Sequence, residues 1–139
     1  MKKLFALLAC TACTLAAADT AFTNVPPTLQ KALHGSAIQS ARLDAGVLRL
    51  QMDKPQVTEL VYATFVFHNI CAQQWRHPEQ FAGYGLTRVE LLNAGATQGF
   101  AFDARGDVCA EMGQMGKNFR SFIAQRTVSC DAGTCPARP

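Results

Sequence analysis

The chain is poor in charge. Only 17% of its 139 residues are Asp, Glu, Lys or Arg. No basic run lies in its body, so the phosphate-tracking stripe of a nucleic-acid-binding protein is missing, as is the polybasic patch of an electrostatically held membrane protein. Histidine is scarce too. His34, His68 and His77 fall in no H-E-x-x-H or similar spacing, so no zinc centre is expected. Ser36, Ser40, Ser121 and Ser129 lie in no G-x-S-x-G elbow. Gly83-Tyr84-Gly85 and Gly95-Ala96-Thr97-Gln98-Gly99 match neither phosphate-loop pattern. Beyond the first residues no run approaches the roughly 20 apolar residues of a membrane span. No cofactor and no metal are therefore expected.

What is present begins at the N-terminus. Lys2 and Lys3 precede the apolar Leu4-Phe5-Ala6-Leu7-Leu8-Ala9, and Ala16-Ala17-Ala18 offers small residues before Asp19. That is the three-part pattern of a secretory signal peptide, expected over residues 1–18 with cleavage after Ala18. An alternative is a lipid anchor at Cys10, since Leu7-Leu8-Ala9-Cys10 resembles the bacterial lipoprotein box. Cys10-Thr11-Ala12-Cys13 has redox spacing, but inside a removed segment it has no redox role. A periplasmic or secreted bacterial protein is the expectation, with residues 19–139 forming a single domain. Loss of Lys2 and Lys3 leaves 11 basic residues against 10 acidic ones, so that domain is nearly neutral.

Four cysteines remain, Cys71, Cys109, Cys130 and Cys135. An even count in a small exported chain reads as disulfides. Sequence leaves three pairings open, and Cys71 with Cys109 and Cys130 with Cys135 are favoured. The first ties a helix to a sheet, and the second staples the C-terminal tail.

Periodicity gives the elements. Asn24-Val25-Pro26-Pro27 opens a short helix ending at Gly35. Ala37–Leu43 and Val47–Met52 flank the turn Asp44-Ala45-Gly46 as a hairpin. Asp53-Lys54-Pro55-Gln56 reads as a capping box. After it Val57, Leu60, Val61, Thr64, Phe65, His68, Cys71 and Trp75 recur at helical spacing, although Val61–Phe67 is also rich in strand formers. Tyr62, Val66, Phe67 and Ile70 make this helix apolar on more than one side. A meander comes next: Thr87–Leu91, a strand carrying Phe100 and Phe102, and Val108–Glu111. A last helix carries Phe119, Phe122 and Ile123. The order α-ββ-α-βββ-α predicts an α+β fold, an antiparallel sheet of about five strands packed against helices.

Candidate sites are few. Arg105-Gly106-Asp107 spells an adhesion tripeptide but reads as a turn, and Asp103 with Asp107 lacks the ligand pattern of a calcium loop. Glu79, Glu90 and Glu111 have no diagnostic spacing. Trp75, Arg76, Phe81 and Tyr84 are different. They crowd the one tryptophan, an arginine and two further aromatics into a Pro- and Gly-bearing connection, the residue types of interface anchors. They are the expected partner-binding residues. A non-catalytic domain that binds another protein, as inhibitor, immunity-type partner or assembly accessory, is the leading expectation. A small hydrolase using His68 and Glu90, or a carrier holding an apolar ligand near Phe65 and Phe67, is the alternative.

Overall fold

The computed structural model describes residues 19–138. The signal segment, with Cys10 and Cys13, lies outside the described residues. Alternation sets the sheet: in β3 (Val47–Met52) the side chains of Leu48, Leu50 and Met52 are buried, and those between them are half-exposed. The other strands are β1 (Ala21–Thr23), β2 (Ile38–Asp44), β4 (Arg88–Leu92), β5 (Gln98–Asp103) and β6 (Thr127–Asp131). They lie across one six-stranded sheet in chain order. Strand β2 runs antiparallel to β3, and β4–β5 and β5–β6 are also antiparallel, whereas β1–β2 and β3–β4 are parallel.

The fold is α+β, but the expected antiparallel five-stranded sheet is corrected to a mixed one with six strands. Each parallel pair is joined by a helical crossover, which brings the chain back to the end of the sheet where it started. Helix α1 (Pro27–Leu33) makes the first crossover. The second is α2 (Glu59–Phe65), a π-helical turn (Val66–Cys71), α3 (Ala72–Arg76) and α4 (Pro78–Gly83). The expected strand at Val108–Glu111 is helix α5 (Val108–Met112). A 3-10 turn (Gly116–Asn118) and α6 (Phe119–Gln125) lead to β6. No helix among the described residues is long and apolar enough to cross a membrane.

One turn and one helix start also differ from expectation. The β2–β3 hairpin turns on two residues, Ala45 and Gly46, both at positive φ, the conformation that matches strand twist. Gly46 is needed for space as well, because a Cβ there would stand 2.6 Å from the Gly85 carbonyl oxygen. The second helical region starts at Thr58, not Asp53: the Thr58 hydroxyl accepts from the Val61 N–H at 3.2 Å.

Among the described residues the helices cover one face of the sheet. Leu48, Leu50, Val89, Leu91 and Phe102 meet Leu29, Leu33, Phe65, Val66, Ile70, Met112 and Ile123 in the main core. The disulfide Cys71–Cys109 joins the π turn to α5, and Cys130–Cys135 closes the tail onto β6. These pairings match the ones favoured from sequence. On the opposite face Leu92, Ala101 and Cys130 form a small second cluster. Beside it the buried Glu90 carboxylate takes Arg49 at 2.7 Å and Arg88 at 3.0 Å. The same two guanidiniums donate to the carbonyls of Gly133 (3.0 Å) and Pro136 (2.7 Å), pinning the tail across this face.

Candidate functional site

The π-helical turn in the second crossover builds the most distinctive surface. One extra residue in a helical turn rotates the residues after it and pushes side chains outward, and such bulges recur at functional sites. Two anchors hold it. Asn69 donates to the Ala32 carbonyl at 3.2 Å and to the Ser36 hydroxyl at 2.7 Å, and Cys71 is bonded to Cys109. Beside these anchors Phe67 lies half-buried at the edge of the core. Its ring lies 4.3 Å from that of Phe119 and 4.9 Å from that of Trp75, centroid to centroid. His68 packs its ring edgewise on the same phenylalanine at 4.9 Å.

Trp75 lies over α5, with its indole N–H donating to the Cys109 carbonyl at 2.7 Å. Gly113 makes room for it, since a Cβ there would be 3.0 Å from the indole nitrogen. The cluster is only partly covered. Trp75 and Met115 keep 36% and 37% of their surface in solvent, and Leu60 and Val61 on α2 keep 56% and 41%.

The four residues expected to form one binding patch do not all meet. Trp75 joins the aromatic cluster. Phe81 and Tyr84 pair with each other at 6.1 Å, and the Tyr84 hydroxyl hydrogen-bonds Thr28 of α1 at 2.6 Å. Arg76 is exposed at the end of α3. The segment is also not an open connection: Ala72–Arg76 and Pro78–Gly83 are helical. The aromatic cluster needs Phe67 and Phe119 instead, which the sequence places on apolar helix faces. The signal for them is the surplus of apolar residues around that helix, more than one buried stripe can use.

His68 is exposed rather than on the buried face, and so are Leu60, Val61 and Thr64; the buried set is Tyr62, Ala63, Phe65, Val66, Ile70 and Cys71. Glu90 sits on the sheet face away from the helices, so the sheet lies between it and His68. Phe65 is buried in the core, and Phe67 lies half-buried against it. Among the described residues no group of three or more His, Cys, Asp or Glu is placed to hold a metal ion.

Further along α2 the Tyr62 hydroxyl lies 2.7 Å from that of Thr127. Thr127 donates onward to the Ile123 carbonyl at 2.7 Å, so Tyr62 is the donor. Burial holds the phenol well above its ordinary pKa. No protein-family model matches the chain, and neither a curated protein nor a solved structure matches it.

Proposed function

We propose that this chain is an exported, non-catalytic domain that binds another protein through the aromatic surface of its helical layer, as an inhibitor, immunity-type partner or assembly accessory. One observation carries the reading: Trp75, Phe67 and Phe119 are packed into a braced cluster, while Trp75, Met115, Leu60 and Val61 stay in solvent. An anchored aromatic cluster presents large contact area at little entropic cost. The two disulfides fit an oxidising compartment. The hydrolase alternative loses support because its two residues stand on opposite sides of the sheet.

The test is a photo-crosslinking residue at Met115 in the full chain, expressed in the native host. The expected result is one discrete crosslinked protein that disappears with Trp75→Ala while the thermal transition stays cooperative. Diffuse crosslinks, or a discrete one untouched by Trp75→Ala, overturn the reading.

A further inference from the structure

The last strand of the sheet has a started and then interrupted neighbour. In the turn Asp131-Ala132-Gly133-Thr134, Ala132 and Gly133 have φ of 47° and 78°, the geometry of a two-residue hairpin. Asp131 and Thr134 exchange both backbone hydrogen bonds, at 2.9 Å each. In that register the next pair is Cys130 opposite Cys135, and it is joined by the disulfide. A seventh strand has begun. The next hydrogen-bonded position opposite Ser129 then falls on Pro136, which has no N–H to donate. The chain leaves the edge there, with the Pro136 carbonyl taken by Arg88 and with Ala137 and Arg138 lying beside Val47 and Val128 on the open face.

Among the described residues the rest of the edge is therefore unpaired. The Asp103 N–H donates to the Arg126 carbonyl, which sets the phase of the ladder. Val128 and Cys130 turn their backbone groups toward β5, and Thr127, Ser129 and Asp131 turn theirs outward. Thr134 takes the Asp131 pair, but the outward groups of Thr127 and Ser129 meet no strand among the described residues, because β6 is the edge of the described sheet. Natural sheets cover or blunt such edges. Alongside it, on the helical side, runs a groove of about 490 Å³. Tyr62, Phe100 and Ile123 form its floor, and the exposed Glu59 and Arg120 stand at its rim.

We propose that the open edge of β6 takes up an extended, near-neutral segment of a partner protein as a seventh strand, with one large apolar side chain of that segment lodged over Tyr62 and Phe100. The unpaired backbone groups specify an extended chain. The apolar floor specifies the side chain, and rim charges of opposite sign favour no net charge. A second copy is a poor occupant. A β6–β6 pair would present Thr127 and Ser129 on the groove side, and neither is large enough to fill it. The proposal rests on the protein-binding reading for the kind of partner, but on none of the aromatic cluster's residues.

The probe is a library of randomised nine-residue peptides displayed on phage and selected on the full chain. The expected result is enrichment of alternating sequences with one large apolar residue, bound at least tenfold more weakly by Ser129→Pro. That substitution removes only an outward N–H, a change that edge strands tolerate. Should Ser129→Pro not fold, Ala124→Trp fills the groove from an exposed helix position and the same tenfold loss is expected. No enrichment over background overturns the proposal, and so do peptides that bind both variants undiminished. Self-association of the chain with protection of the Ser129 amide assigns the edge to a second copy and also overturns it. Peptides lost with Trp75→Ala but retained by Ser129→Pro overturn this proposal while leaving the aromatic surface standing.

Discussion

The indole of Trp75 is hydrogen-bonded to the carbonyl of Cys109, whose sulfur is bonded to Cys71, one helical turn before that tryptophan. One covalent bond from the π turn and one hydrogen bond from α3 thus clamp this helical stretch to α5 over a short span. Cys109 is the common partner of Cys71 and Trp75.

The two disulfides should differ in what they contribute. Cys71–Cys109 closes a separation of 38 residues and Cys130–Cys135 one of 5. On the chain-entropy model these correspond to about 4 and about 2 kcal/mol. Paired alanine replacements compared by urea denaturation should show the larger loss for the first, and only that loss should quench the signature of an ordered Trp75 in near-UV circular dichroism.

Gly99 tests the sheet itself. A Cβ there would stand 2.0 Å from the Leu91 carbonyl oxygen and 2.8 Å from the Leu92 Cα, both backbone atoms of the neighbouring strand. The strands must part to admit a methyl group, so Gly99→Ala should cost about 3 kcal/mol. The midpoint of thermal unfolding measures it, and an unchanged midpoint would show that β4 and β5 are not in this register.

Glu90 is the buried counter-ion of Arg49 and Arg88, and those two arginines hold the tail. Glu90→Gln leaves two guanidiniums without their charge partner. Arg49 is 41% exposed, so solvent offsets part of the cost, leaving about 2 kcal/mol. Amide exchange in residues 133–138 should quicken more than in β3 or β4, as read by mass spectrometry.

Tyr62 gives an alkaline signature. Its folded pKa lies above the unfolded value near 10, so the folded protein binds the phenolic proton more tightly. The stability this provides is complete below pH 10 and is lost as pH rises beyond it. Ultraviolet titration should show the Tyr62 phenol still protonated well above pH 10 while the chain stays folded, and Tyr62→Phe should flatten the alkaline loss.

Much of the fold is legible in the sequence because alternation is a strong signal where one face is buried. Leu48, Leu50 and Met52 declare β3, and Val89 and Leu91 declare β4. Val108-Cys109-Ala110-Glu111 is too short for its period to be read, and only the Asp107 turn and the Cys71 bond decide for helix. Thr127–Asp131 has its single large apolar residue, Val128, on the open face, so it carries no core-facing stripe. The site is harder to read. The fixed 3–4 spacing assigns the wrong face already in α2, where Leu60, Val61 and Thr64 are exposed and Tyr62, Phe65 and Val66 buried; apolar residues all round this helix let either stripe pass for the core side, and His68 goes with the wrong one. Caps are equally deceptive, since Asp53 and Thr58 both fit and only packing chooses Thr58.

The sheet's order has a consequence for assembly. Each strand lies against the one made just before it, so a chain synthesised from its N-terminus can add every new strand to an edge already in place, none waiting on a later arrival. The longest pause is the stretch between β3 and β4, during which the second crossover is made and only three strands stand. A stall there leaves the apolar Leu48, Leu50 and Met52 without the second crossover that completes their cover. It is the stage at which a chaperone would have most to protect.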